Sequence, residues 1–326
     1  MSEFHVTVVE LGKIGKHPNG DNLEITTVLG GYPVIMRKGD FQTGDKAIYI
    51  PVDAMVPAKD PRFSFLTDDE LKLWVRVKAK KLRGIFSMGL LIKAEPGMEV
   101  GQNVQELLGI KKYEPPEEGA HTGGENEKDP GFLPSYTDIE GLRKYKNLLT
   151  VGEEVVLTEK IHGANARFVF RDGRLWCGSH HQIKKEDQAN LWWRAAKQYQ
   201  LDTKLQACEE TVLYGEVYGQ VQKGFGYDIS PGLIGLRIFD AYDPTQGKYL
   251  DWSDLEKLCT TLALPMVPML YKGPWNLELI ALAEGKTTLA SHVREGFVVK
   301  PTKERWDQHI GRVIFKMIGE GYMLKG

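Results

Sequence analysis

The chain has 326 residues, enough for two domains rather than one. Apolar residues make up 42% of it, ample for ordinary cores, and 42 Lys and Arg stand against 44 Asp and Glu, a formal charge of −2. That balance excludes a uniformly basic nucleic-acid coat, so any phosphate-binding surface must be local.

The amino-terminal stretch MSEFHVTVVELGK has no basic start followed by a long apolar core, and no run reaches membrane-span length. Cys177, Cys208 and Cys259 are scattered without a CxxC pair, which argues against a disulfide framework or zinc ribbon and for a reducing compartment. A soluble, cytoplasmic protein is expected.

Residues 4–50 alternate apolar and polar positions between Gly, Asn and Asp turns, a β pattern. A Pro- and Asp-rich loop runs from Pro57 to Asp69, and two more strands follow, LWVRVKAKKL and GIFSMGLLIKA. About five strands in this space fit a small closed barrel of the OB type. Between Lys72 and Lys93 every charge is positive. Lys78, Lys80, Lys81 and Arg83 in this stripe either protect a solvated strand edge or follow a nucleic-acid backbone.

The segment EPPEEGAHTGGENEKD, from Glu114 to Asp129, has linker composition. The expected organisation is a barrel over 1–113, a linker over 114–132 and a second domain over 133–326. Beyond Tyr136 strands and helices interleave irregularly, which predicts an α+β domain with antiparallel sheets. KEDQANLWWRAAKQYQ reads as a packing helix, and WSDLEKLCTTLA as a helix capped by Ser253. TVLYGEVYG, LIGLRIFDAY, EGFVVKP and GRVIFKMI read as strands. His180 and His181, taken as a strand, would point to opposite faces. EGKTT at Glu284–Thr288 lacks the earlier glycine of a P-loop, since that position is Ile280.

Chemistry concentrates at the strand ends. VVLTEKIHGAN sets Lys160 between an apolar run and a turn, beside Glu159, His162 and Asn165. Glu216, Phe239, Asp240, Glu295, Lys300 and Lys316 occupy comparable places on other strands. For any one of them a solvated sheet face is the simpler reading. Together, converging on one cleft, they could bind phosphates and a metal. A lysine amine attacks phosphorus only if its charged form is disfavoured. Lys160 is therefore expected to be desolvated and discharged, with Lys300 and Lys316 as neighbouring cations.

TEKIHGAN resembles the K-x-[DH]-G-x-N motif of covalent nucleotidyltransferases in its RNA ligase form, and GEVYG, IFDAY, EGFVVK and IFKMI follow in that family's order. The amino-terminal third is similar to the OB domain preceding the catalytic domain in nick-sealing RNA ligases of family 5. The resemblance implies an OB-like barrel followed by a nucleotidyltransferase domain of ATP-grasp-like antiparallel sheets plus helices. It implies ATP with Mg²⁺ or Mn²⁺, and a monomer acting on RNA or a nicked RNA/DNA duplex through a lysyl-AMP and an adenylylated 5′-phosphate. By the same resemblance Lys160 is the nucleophile, with Glu295 and Lys316 completing the catalytic set. Glu159, Glu216, Phe239, Lys300, Lys316 and Asn165 contact nucleotide, Glu295 and Glu216 hold metal, and Asn165 also meets the acceptor strand. Three positions depart from the usual pattern: His162 for Asp, His180 for Arg and Ile318 for Lys. A GTP-dependent capping-type guanylyltransferase shares the lysine chemistry, and a non-catalytic RNA-binding OB protein shares the barrel.

Overall fold

Alternating apolar residues and Gly-Asp turns produce short strands, and in the computed structural model these divide between two units. The structure describes residues 4–113, 125–219 and 225–324. Residues 4–113 form the N-terminal unit, joined by 142–146; residues 125–141 and 147–322 form the second. Most of the expected linker lies outside the described residues. Its end, Asn126–Glu127, is a strand of the second unit.

The N-terminal unit is all-β, with more and shorter strands than the sequence pattern suggested. Its principal strands are β1 (Thr7–Glu10), β2 (Leu23–Val28), β3 (Tyr32–Arg37), β4 (Lys46–Ile50), β5 (Ala54–Pro57), β6 (Trp74–Arg76), β7 (Lys80–Leu82), β8 (Ile85–Ser87), β9 (Leu90–Lys93) and β10 (Lys111–Lys112). They form a sheet β1-β4-β9, a sheet β10-β5-β6, a β2-β3 pair and a β7-β8 hairpin. Val8, Ile48, Ile50, Val56 and Phe63 fill one core between them. LWVRVKAKKL is two strands rather than one, and the Pro-rich loop contains a 3₁₀ turn, Pro61–Leu66, whose cap Asp60 accepts from the Arg62 N–H.

The second unit has two main sheets and a small ribbon, Trp306–Asp307 with Gly311–Arg312. The seven-stranded one runs β11 (Asn126–Glu127), β16 (Ile183–Lys184), β15 (Arg174–Gly178), β14 (Ala164–Arg171), β17 (Val212–Tyr218), β18 (Gly235–Asp243), β19 (Lys248–Tyr249). The five-stranded one runs β12 (Glu140–Gly141), β22 (Phe315–Ile318), β21 (Gly296–Pro301), β13 (Glu154–Lys160), β20 (Met269–Pro274). All pairs are antiparallel except β12 with β22. Helices α1 (Leu191–Gln198) and α2 (Trp252–Thr261) contribute Trp192, Ala195, Trp252 and Leu255 to a core with Phe168, Leu213 and Ile238. The cap of α2 is Asp251, not Ser253, and the Asp251 carboxylate accepts from the Glu304 N–H instead of an α2 amide. Among the described residues no helix is long and apolar enough to cross a membrane.

The crossover between the two sheets depends on two local features. Strand β13 has strands on both sides, which explains its apolar run. At its end Ile161–Gly163 carries the chain from the five-stranded sheet into β14 of the seven-stranded one. A Cβ on Gly163 would meet the Val217 carbonyl, and one on Gly296, which opens β21, the Met317 carbonyl, so both positions require glycine.

Candidate active site

Lys160 stands where the chain changes sheets, and Lys316, Asn165, Glu216 and Phe239 from both sheets line one cavity with it, about 350 Å³ in volume. Its ammonium is 2.6 Å from Glu295 Oε1, with 27% of the Lys160 side chain and 10% of the Glu295 side chain exposed. Antiparallel register explains the meeting: Lys160 pairs with Gly296, the residue after Glu295. Asn165 and Glu216 are directly paired across β14 and β17, and the buried Asn165 Oδ1 has no protein partner.

The electrostatics correct one expectation. Burial pushes the Lys160 amine down, but the charges of Glu295 and Glu216 outweigh it and hold the amine above its ordinary value. Lys160 in this state is a charged ion-pair partner. Burial pushes Glu295 up, yet Lys160 and then His162 hold it below the usual carboxylate range. Glu216 goes the other way: burial, reinforced by Glu295, pushes it up to about 8.

Lys300 lines the same cavity, and its ammonium is also tied into a buried network. Its ammonium is bonded to Asp240 Oδ1 at 3.0 Å and Glu304 Oε1 at 2.9 Å. Arg312 joins Asp240 Oδ2 and Glu304 Oε1, both at 2.6 Å, and Tyr136 donates its hydroxyl to Asp240 Oδ2 at 2.7 Å. Two cations, two carboxylates and a phenol thus make a closed buried network. GRVIFKMI was expected as one strand; it breaks after Arg312, which lets that side chain turn inward. A bulge in β18 does the rest. Tyr214 pairs with Asp240 and Gly215 with Ile238, leaving Phe239 as the extra residue. Ile238 and Ala241 point to the helix-covered core, while Phe239 packs on Tyr136 and Val298 beside the cavity.

Glu159 alternates away from Lys160. Its carboxylate accepts from the Thr287 hydroxyl and from the Thr288 amide and hydroxyl at 3.0 and 2.9 Å. The EGKTT segment therefore clasps the strand carrying Lys160 through the Glu159 carboxylate, and Glu159 also lines the cavity. His180 and His181 lie in a turn closed by the Ser179 N–H to Gln182 carbonyl bond, so their rings meet edge to face at 4.5 Å instead of diverging. The His162 N–H donates to the Tyr227 hydroxyl at 2.7 Å, the Tyr322 hydroxyl hydrogen-bonds His162 Nδ1, and that nitrogen is 3.7 Å from Glu295 Oε2. Sequence reasoning missed Tyr136, Tyr227, Glu304, Arg312 and Tyr322; none carries a local signal beyond its residue type. In the N-terminal unit Lys78, Lys80, Lys81 and Arg83 are exposed, with Lys81 5.5 Å over the Phe86 ring and Arg83 in the turn between β7 and β8.

Glu295 Oε2 is buried without a hydrogen-bond partner, and the charges of Glu295 and Glu216 both act on Lys160. No group of three or more His, Cys, Asp or Glu among the described residues could cage a metal. The donor set fits a hard divalent ion that takes its remaining oxygen ligands from phosphate and water.

An OB-fold domain followed by a two-sheet α+β domain with a lysine at the sheet crossover defines the class, an OB-linked ligase. A profile of RNA ligases matches residues 153–318 and an OB-fold domain profile matches 5–94. The chain belongs to the RNA ligase family. A search of the curated proteins finds no match. Among solved structures it is similar to the Naegleria gruberi RNA ligase. One structure of that enzyme, a lysine variant with ATP and Mn, is 25% identical over 99% of both chains with a TM-score of 0.87. A second, with PPi, is 25% identical over 98% of both with a TM-score of 0.85. A third, a glutamate variant with AMP and Mn, is 25% identical over 98% of both with a TM-score of 0.84.

Proposed function

We propose that this protein is an ATP-dependent RNA ligase that seals 3′-hydroxyl/5′-phosphate nicks in duplexes with an RNA 3′ end. The observation that carries this is the Lys160 amine, ion-paired with Glu295, in a cavity with Glu216 and Lys316, in a chain similar throughout to an RNA ligase solved with ATP and Mn. Lys160 attacks the α-phosphorus of ATP, forming a P–N bond as pyrophosphate leaves. AMP then passes to the 5′-phosphate, and the 3′-hydroxyl displaces it. Phe239 stacks on the adenine, Lys316 meets the phosphates, and Asn165 Oδ1 is left for nucleotide or acceptor strand. The Lys300 ammonium acts indirectly, by bracing Asp240 behind Phe239.

Glu295 and Glu216 would hold a divalent ion, which would neutralise phosphate charge and weaken the pull of both carboxylates on Lys160. Burial, already opposing the ammonium, then favours the neutral amine. Monomeric action in a reducing cytoplasm is part of the same reading; Cys177, Cys208 and Cys259 are all free thiols.

A panel of nicks with RNA or DNA on either side, each offered with ATP or GTP, tests the proposal. We expect sealing with ATP wherever the 3′ end is RNA. Equal sealing of all-DNA nicks defeats the end preference, and a GMP adduct favours the capping reading.

Glu216 makes uptake of the ion pH-dependent. Its folded value of about 8 exceeds the ordinary 4.5, so the fold favours the protonated acid. The stability this contributes is fully present below 4.5 and is lost as pH rises through 8. Metal binding needs the carboxylate and must expel that proton. At pH 7 titration calorimetry in buffers of different ionisation heat should report at least one proton released per Mn²⁺, that of Glu216, with more to the extent that Lys160 discharges. Affinity should rise by up to about tenfold per pH unit until pH 8. Glu216→Gln should bind weakly and release about one proton fewer; unchanged release in that variant assigns the proton elsewhere.

A further inference from the structure

The sheet β10-β5-β6 in the N-terminal unit has two unlike faces. Lys111 pairs with Met55 and Met55 with Arg76, so these three share a face; Ala54 and Val56, on the other, are fully buried in the core. Alternation places Asp53, Trp74, Arg76, Lys78, Lys111 and Tyr113 outward around Met55. Two cations there are braced by rings. The Lys111 ammonium is 4.5 Å from the Trp74 ring centroid, and the Arg76 guanidinium 4.0 Å from that of Tyr113. Arg76 also bonds Asp53 at 2.7 Å, and Asp53 is the single acid among those six positions. A cation held on a ring has already lost part of its rotamer freedom, and exposed Lys111 keeps its charge in solvent. Cations interleaved with half-exposed aromatic rings suit a phosphodiester chain, whose charges meet the cations and whose sugars or bases rest on the rings.

We propose that this face, and not only the β7-β8 hairpin, binds the sugar–phosphate backbone of the RNA duplex to be sealed. The proposal rests on the ligase reading. Lys111→Glu and Lys78→Glu, both at exposed positions, should each bind a nicked RNA duplex about tenfold more weakly at low salt in fluorescence anisotropy. The slope of log affinity against log salt should shrink by about 1 for each phosphate no longer neutralised. Lys111→Arg should restore both. Lysyl-AMP formation without nucleic acid checks that each variant is folded and chemically competent. Normal adduct with unchanged affinity and salt slope in both glutamate variants overturns the platform. Absence of any adduct in the unsubstituted protein sinks the ligase reading instead, so the two failures are distinguishable.

Discussion

Lys160→Ala is expected to abolish the protein–AMP adduct and to reduce ATP-driven sealing by at least about 10⁴-fold, the scale seen when a covalent nucleophile is removed. The amine makes a bond that no other side chain lining the cavity is set to make. Asn165 is not nucleophilic, Lys316 comes from a different strand, and the Lys300 ammonium is held between Asp240 and Glu304. The same variant should still join a nick that already carries a 5′-adenylate, because Lys160 has no bond left to form there. Labelled ATP followed by denaturing electrophoresis reads the first outcome, and a pre-adenylylated duplex the second. An adduct persisting in Lys160→Ala moves the nucleophile elsewhere and ends the proposed mechanism. Lys160→Arg should fail as well: guanidinium keeps its proton at any pH a protein survives, so no ion at Glu295 and Glu216 can free a lone pair.

The second large effect concerns stability. Arg312 has no exposed side-chain surface, and neither has its partner Asp240. Burial pushes Asp240 up, but Arg312 first and Lys300 next hold it below the carboxylate range. Arg312→Met leaves Asp240 and Glu304 with Lys300 alone, an uncompensated buried negative charge. Removing one partner of such a pair costs roughly 3–5 kcal/mol, and a urea midpoint should fall accordingly. Asp240→Leu with Arg312→Met removes charge of both signs and should recover much of that loss, since residues in one network do not add. Because Asp240 follows Phe239 on the bulged strand, the single variant should also form adduct more slowly at low ATP, an effect that saturating ATP offsets. An unchanged midpoint refutes the closed-network description.

Much of the reaction's outline was legible in one dimension. The apolar run ending in Lys160, the obligatory Gly163, the carboxylates of Glu216 and Glu295 and the ring of Phe239 all lie on or beside strands the alternation identified. Local patterns were right there because each strand's burial repeats along its own length. They were silent where a side chain's partner lies far along the chain. Lys300 read as a cation at a strand end, and nothing local showed that Asp240, 60 residues away, pairs with it. Glu159 read as a polar neighbour of Lys160, and nothing local showed that Thr287, 128 residues away, hydrogen-bonds its carboxylate.

By itself, then, the sequence determined that a lysine would end a buried strand at a glycine turn, among acids and cations on comparable strands, after an all-β segment. Only the tertiary structure decided which of those charges meet. Two sheets face one cavity, a bulge in β18 sets Phe239 and Asp240 on one side, and a break after Arg312 closes the network that holds Lys300. It also decided that Lys160 begins charged: Coulomb energy depends on distance through space, and the Glu295 oxygen 2.6 Å from its nitrogen lies 135 residues away along the chain.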